Sequence, residues 1–291
     1  MAQQWMILAC SLLATEALAG SDAPRLARGK YLTEGVLACA NCHAVRDEKG
    51  QVIAEKGMAG GRDFDFGVFK AYARNITPDR ETGIGKWSEA QLRRAIREGI
   101  RPDGSLVGPP MPVHFYRSLS DSDLNAVVKY LRAQPAVRNE VPKSVYSFPL
   151  PPNYGPPLKQ VAAPPAHDKV AYGGYLVTIG HCMECHTRHD DKGMLQMARL
   201  GAGGESFKGP WGESFSRNLT SHAEGLRDWS DAQIAAAIRS GKDRNGKPYK
   251  PPMAFDWYRN ISDADMAAII AYLRTLPPLP SEPGEQKISG R

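Results

Sequence analysis

Apolar residues recur at helical spacing along the chain, and the same spacings occur twice. Leu124, Val127, Val128 and Leu131 follow the i, i+3, i+4, i+7 rule behind Ser120, with Asp123 three residues on. Met266, Ile269, Ile270 and Leu273 repeat that pattern behind Ser262 and Asp265. A shorter helix begins at Ser88, whose S-x-x-Q spacing to Gln91 is a capping box. It carries Leu92 and Ile96 on one face and stops at Gly99. Ser230, Gln233, Ile234, Ile238 and Gly241 repeat it. An earlier helix holds Tyr31 and Leu32 and is expected to run into the first cysteine motif. No run alternates apolar and polar positions for long enough to specify a strand, so the pattern predicts an all-α chain.

These recurrences belong to a tandem duplication. Gly29-Lys30-Tyr31-Leu32 matches Gly173-Gly174-Tyr175-Leu176, Asn75-Ile76-Thr77 matches Asn218-Leu219-Thr220, and Tyr130-Leu131-Arg132 matches Tyr272-Leu273-Arg274, always in the same order. With 291 residues, 42% of them apolar, each half has enough chain for its own core. The predicted domains are 24–134 and 167–278. Between them, 135–166 is rich in proline (Pro149, Pro151, Pro152, Pro156, Pro157, Pro164, Pro165) and reads as a semi-rigid surface connector that leaves the halves independent. Residues 279–291 read as a flexible tail. At the other end, the apolar run over 5–14 is too short to span a bilayer and leads to Ala17-Leu18-Ala19, a small-x-small pattern. Residues 1–19 are therefore expected to be a signal peptide cleaved after Ala19, although no Lys or Arg precedes the run. Cys10 within it faintly suggests lipidation. No later segment is expected to cross a membrane.

The chemistry lies in the cysteines. Four of the five form two Cys-x-x-Cys-His motifs, Cys39-Ala40-Asn41-Cys42-His43 and Cys182-Met183-Glu184-Cys185-His186. A lone Cys-x-x-Cys also suits a redox dithiol or half a zinc site, but each pair here carries its own histidine in its own half, and no βαβ setting is present. The motif is the attachment signature of c-type haem. Cys39, Cys42, Cys182 and Cys185 would form thioethers, and His43 and His186 would bind iron from one side. For the opposite side, Met111 and Met253 each follow Pro-Pro, 68 and 67 residues beyond their histidines. Proline should hold that lead-in extended and present a soft thioether from a stiff loop. Competing candidates are Met58, Met194, Met197, His114 and His181, none of which is repeated in the other half. Trp87 and Trp229 could line the haem edge. Asn75, Asn218, Arg74 and Arg217 could reach a propionate, and Gly60-Gly61 and Gly203-Gly204 read as turns nearby. Two c-type haems are the expected cofactors.

Charge narrows the partners. Removing residues 1–19 takes away Glu16 and raises the formal net charge from +6 to +7, before haem carboxylates lower it. The excess is spread out, with no basic cluster interleaved with aromatics, which argues against nucleic acid. Arg93, Arg94, Arg97 and Arg101 share a helix face that reads as solvated surface, with a docking patch for an acidic partner as the alternative. No dinucleotide-binding, Walker or G-x-S-x-G motif is present. Methionine-ligated iron leaves no open position, which favours electron transfer over oxygen or peroxide chemistry.

Taken together, Arg28-Gly29-x-Tyr31-Leu32, the first Cys-x-x-Cys-His, Asn75-Ile76-Thr77-Pro78-Asp79-x-x-Thr82-Gly83-Ile84-Gly85-x-Trp87-Ser88 and Arg97-Glu98-Gly99-x-Arg101-Pro102-Asp103-Gly104 resemble the cytochrome c subunits of bacterial membrane-associated alcohol and sugar-acid dehydrogenases. The resemblance covers roughly 24 to 278 and is looser in the second half. It implies tandem class I cytochrome c domains, with His43 and His186 proximal and Met111 and Met253 distal. It also implies an exported, periplasmic electron carrier, with peripheral membrane association left open. Such a carrier takes electrons from a periplasmic or membrane-associated dehydrogenase toward a downstream cytochrome or oxidase of the respiratory chain. Those subunits usually carry three motifs and often a C-terminal membrane-binding helix, whereas this chain has two motifs and no such helix. A stand-alone carrier, or the cytochrome subunit of a molybdenum hydroxylase-type dehydrogenase, fits as well. The competing class is a di-haem enzyme, such as a peroxidase or a thiosulfate-oxidising cytochrome, for which His181 would be the supporting residue.

Overall fold

The computed structural model describes residues 22–281. The expected signal peptide and Cys10 lie outside the described residues, as do 282–291 of the expected tail. The first half contains α1 (22–34), α2 (Cys39–His43), α3 (Glu89–Glu98), α4 (Val113–Tyr116) and α5 (Asp121–Arg132). The second repeats them as α6 (Lys169–Ile179), α7 (Cys182–His186), α8 (Asp231–Ser240), α9 (Phe255–Tyr258) and α10 (Asp263–Leu273). Capping sets the ends. Ser88 and Ser230 close reciprocal capping boxes with Gln91 and Gln233, while Gly99 and Gly241 stop those helices at φ 67° and 65°. Ser120 and Ser262 accept from the Asp123 and Asp265 amides.

Two small antiparallel sheets amend the all-α expectation. β1 (Asp63–Asp65), β2 (Phe69–Tyr72) and β3 (Val145–Tyr146) form one, and β4 (Ser206–Gly209) with β5 (Gly212–Phe215) forms the other. Strands of two to four residues are too short for a period of two to show above noise. The strand residues are also mostly exposed or half-buried, so the sheets leave little apolar signature.

Each half packs its first helix directly on its last. A Cβ at Gly29 would meet the Ala126 carbonyl oxygen at 2.0 Å, and one at Gly173 would meet that of Ala268 at 1.8 Å, so only glycine permits the crossing. These helix pairs then meet each other. One continuous core runs through both halves, including Leu32, Val36 and Val127 on one side and Leu176, Ile179 and Ile269 on the other.

A polar network locks this interface. Tyr31 donates its hydroxyl to Asp265 at 2.7 Å, and the equivalent Tyr175 donates to Asp123 at 2.7 Å. The amides of Ser262 and Ser120 donate back to these two hydroxyls, each at 3.2 Å. Arg28 breaks the symmetry: it grips Asp123 through Nε and Nη2 at 2.9 and 3.0 Å and also reaches the Tyr172 hydroxyl at 3.0 Å. Asp123 and Asp265 are only 5% and 9% exposed. Burial raises the Tyr31 pKa to about 12 and also raises that of Tyr175, so both phenols remain donors. The independent domains expected from the proline-rich connector are thus corrected, because shared apolar surface and buried ion pairs outweigh the freedom of the linker.

The connector itself is a strap on the first half. Val137 accepts from the side chains of Asn75 and Thr77. Arg74 donates to the Val141 and Pro142 carbonyls, β3 pairs with β2, and the Tyr154 hydroxyl reaches the Val107 carbonyl at 2.6 Å. In the second half Leu279 and Ser281 make the corresponding contacts with Asn218, so 279–281 are anchored rather than loose. The arginine face resolves into local pairs. Arg97 is buried against Asp121 and the Leu119 carbonyl, while Arg93 and Arg94 sit beside Glu89 and Glu98. Arg101 turns onto the Leu106 carbonyl.

Asp123→Ala should cost about 3 kcal/mol, because it strands the Arg28 guanidinium and the Tyr175 hydroxyl in a buried interface. Urea unfolding of the haem-loaded protein measures this. A loss below about 0.5 kcal/mol, the scale of an ordinary surface substitution, would show that the network does not hold the halves together.

Candidate haem centres

Each Cys-x-x-Cys-His motif forms a single helical turn, α2 or α7, entered through a left-handed residue. Ala38 has φ 47° and His181 has φ 44°, conformations that cost a non-glycine residue on the order of 1 kcal/mol. No sequence signal marks Ala38 for this role. The spacing puts Cys39 with Cys42, and Cys182 with Cys185, one turn apart on one face. Burial pushes the Cys39, Cys182 and Cys185 thiols up to about 12 and raises Cys42 as well, so all four are protonated at neutral pH.

The histidines are prepared as metal ligands. His43 Nδ1 donates to the Arg74 carbonyl at 2.7 Å, and His186 Nδ1 donates to the Arg217 carbonyl at 2.7 Å. A carbonyl can only accept, so Nδ1 carries the proton and Nε2 keeps its lone pair. Burial lowers both pKa values and keeps the rings neutral. Glycines make the arrangement possible. The Gly60 and Gly203 amides each donate to the carbonyl of the motif histidine at 2.9 Å. A Cβ at either would come within 2.7 Å of the Arg74 or Arg217 backbone. The glycine turns expected near the haem thus brace the histidine. In chemistry and spacing this donor set fits a covalently attached haem: a neutral imidazole with a free Nε2 beside two thiols one turn apart.

Met111 and Met253 are partly buried against the shared core. Their lead-in differs from the extended chain expected. Both Pro-Pro bonds are cis, and the segment turns into α4 or α9. Tyr146 of β3 and Ser214 of β5 donate to the Pro109 and Pro251 carbonyls at 2.9 and 2.6 Å, so a strand anchors each methionine loop. The competing candidates sit elsewhere. Met194 and Met197 are 65% exposed, and Met58 is buried in the core. His114 is exposed and bonded to Glu184, and His181 precedes Cys182 with its ring against Tyr116.

Asn75 and Asn218 are fully committed to protein. Each side-chain oxygen accepts from the amide and hydroxyl of the threonine two residues on, and each side-chain amide binds the strap. That leaves no donor for a propionate, which corrects the suggestion from sequence. The Arg74 guanidinium donates to two strap carbonyls through Nη1, and that of Arg217 lies 5.7 Å from the Tyr249 ring centroid. Trp87 and Trp229 are partly buried against the core, and Arg244 lies 5.7 Å from the Trp229 ring centroid.

A charged cluster that sequence alone did not suggest joins the two halves. Glu184, inside the second motif, is 3.0 Å from His114 of the first half and 3.7 Å from His189, which lies 3.4 Å from Glu205. Hydrogen bonds donated by His189 to Glu184 and then to Glu205 raise its pKa to about 9. Burial works to raise Glu184, but the two histidines outweigh it and hold the carboxyl at about 2.

A duplicated helical fold with one such donor set per half defines a class, the tandem covalent-haem redox proteins. The cytochrome c family model matches residues 26–135 and 170–277, once in each half, and the chain belongs to the cytochrome c family. With two such domains it carries two c-type haems. It is 31% identical over 277 residues to the fructose dehydrogenase cytochrome subunit of Gluconobacter japonicus, covering 89% of this chain and 54% of that one. It is 30% identical over 302 residues to the cytochrome c subunit of the quinone alcohol dehydrogenase of Gluconacetobacter polyoxogenes, covering 95% and 62%. The chain therefore spans roughly three-fifths or less of these dehydrogenase subunits. A diheme cytochrome c-type protein of Cereibacter sphaeroides is 33% identical over 255 residues, 82% of each chain.

The cluster makes stability depend on pH in a stated direction. His189 has a raised pKa, so its contribution is complete below 6.5 and is lost as pH rises through about 9. Glu184 has a lowered pKa, so its contribution is complete above 4.5 and is lost as pH falls toward about 2. Glu184→Gln should destabilise the protein at pH 6 and cost much less at pH 9. Chemical unfolding at the two values checks this, and an equal loss at both would contradict the assignment.

Proposed function

We propose that this chain is a periplasmic electron carrier, taking electrons from a dehydrogenase and passing them to a downstream cytochrome or oxidase of the respiratory chain. The observation that carries the reading is the pair of identical donor sets, each with a neutral histidine whose Nδ1 donates to a backbone carbonyl and leaves Nε2 free. Cys39 and Cys42 hold one haem and Cys182 and Cys185 the other. His43 and His186 are the proximal ligands, and Met111 and Met253 the distal ones, in domains of the class I type. Each bound haem supplies a one-electron iron couple.

The protein's own part is to hold ligands still and water away. The left-handed entry residues aim the cysteine turns, the carbonyls of Arg74 and Arg217 fix the imidazoles, and strand-anchored loops present the methionines. A rigid ligand set needs little rearrangement when an electron arrives. The similarity to cytochrome subunits of fructose and alcohol dehydrogenases supports a dehydrogenase as donor. Among the described residues, no helix is long and apolar enough to cross a membrane, in keeping with a peripheral carrier. Export would be accompanied by cleavage after Ala19. His181, the residue that would support an enzymatic reading, stands with its ring edge-on to Tyr116.

Met111→Ala and Met253→Ala should each remove about half of the thioether-to-iron charge-transfer band of the oxidised protein, and the double variant all of it. Met111→His should lower the potential of its haem, because imidazole stabilises ferric iron better than a thioether does. Absorption spectra and potentiometric titration check both. A single variant that keeps the full band would exclude that methionine. Robust turnover of peroxide or thiosulfate, on the order of 10 per second, would make the protein an enzyme instead.

A further inference from the structure

The two attachment turns carry different charges at matching places. Asn41, Arg46 and Arg62 of the first half stand 143 residues before Glu184, His189 and Glu205 of the second. The backbone keeps the match. Arg46 pairs with Val52 in an isolated antiparallel bridge, as His189 does with Leu195. The Arg62 and Glu205 carbonyls accept from the Ala73 and Ser216 amides, each at 2.9 Å.

In the first half two guanidiniums close on the attachment turn itself. Arg62 Nη1 and Arg46 Nη2 donate to one acceptor, the Asn41 carbonyl between Cys39 and Cys42, at 2.5 and 3.4 Å. Arg46 Nη1 also donates to the Gly50 carbonyl at 2.8 Å, and its Nε is buried without a partner. Neither arginine has a carboxylate partner among the described residues. Asp256 of α9, which packs on α2, is bound to Arg259 at 2.7 Å. Two positive charges are thus left uncompensated, and arginine keeps its charge at any working pH.

In the second half two of the three places hold carboxylates. Glu184 lies inside the turn, and His189 stands between it and Glu205, at 3.7 and 3.4 Å. His189 is protonated at neutral pH, and Arg188 also acts on Glu205. The second set is therefore balanced where the first is positive. Both centres share one set of ligands, so ligand identity cannot order them. Ferric haem carries one more positive charge than ferrous haem, so uncompensated positive charge beside its attachment turn favours reduction.

We infer that these matching positions set the order of the two haem potentials. Arg46 and Arg62 make the haem on Cys39 and Cys42 the more easily reduced, and Glu184 and Glu205 make the haem on Cys182 and Cys185 the less. The inference rests on the attachment reading above. One electron from an external donor converts one ferric iron to ferrous, and no bond is made or broken. A chain that holds a single electron then holds it in the first half.

The test is potentiometric titration of the two-haem protein at low salt and about pH 6, where His189 keeps its proton in every variant. Intact mass confirms both haems in each sample, and absorption spectra confirm unchanged ligation. That mass separates failure of the ordering from failure of the attachment reading. Wild type should titrate in two resolved steps. Replacing both arginines, Arg46→Gln with Arg62→Gln, should lower the upper step alone. The charge-keeping pair, Arg46→Lys with Arg62→Lys, should leave it in place. Glu184→Gln should raise the lower step alone. Glutamine variants of the arginines that move the lower step, or neither, would overturn the inference, and so would Glu184→Gln moving the upper step or neither. Lysine variants that shift the upper step as far as the glutamine pair would show packing rather than charge at work, and overturn it too. A wild type that titrates in one unresolved step would do the same, a result that needs no variant to fold.

Discussion

One hydrogen bond in each half, from a motif histidine to a carbonyl 31 residues later, organises the structure around it. It fixes the tautomer that leaves Nε2 as a ligand, and it needs the Arg74 or Arg217 backbone to stay in place. Gly60 and Gly203 allow the loop to press against that backbone. Asn75 and Asn218, next in sequence, turn the chain through their threonines and clamp a later segment, Val137 in one half and Leu279 in the other. A neutral imidazole in apolar surroundings is therefore held by a chain of backbone contacts rather than by a carboxylate. That suits a site meant to carry no uncompensated buried charge.

The second constraint is the junction between halves. Two carboxylates buried in a helix interface would be costly alone. Asp123 is satisfied by Arg28 and Tyr175, and Asp265 by the Tyr31 hydroxyl, with Arg28 Nη1 3.9 Å away. The duplication supplied two equal tyrosines, but the third partner had to differ. Arg28 stands where the second half has Tyr172, whose hydroxyl it also bonds at 3.0 Å. A fixed junction gives the two haem centres a fixed separation, which a proline-rich tether could not do.

Much of this was legible in the sequence, because its signals are local and repeated. The capping boxes at Ser88 and Ser230, the helical spacing through Leu124 and Met266, and the paired cysteine motifs each report a structure built within a few residues. What was hidden depends on distant partners. β3 forms from connector residues only because β2 lies beside them. Ala38 is left-handed only because the turn behind it must be aimed, and nothing in an alanine announces that. The repeated Tyr31 and Tyr175 were visible as matches, but their purpose lies in aspartates of the opposite half. Likewise, Asn75 looked free to bind a propionate until the Val137 strap was placed against it.

The central claim is that each Cys-x-x-Cys-His turn holds one haem covalently. Intact mass of the mature chain, made in a host that attaches haem and recovered from its periplasm, tests this most directly. The expected mass is the polypeptide from Gly20 plus two haems, falling by one haem when Cys39 and Cys42 are both replaced by Ala, and by one when Cys182 and Cys185 are. A wild-type mass carrying one haem or none, or a cysteine-pair variant that keeps both, would contradict the account.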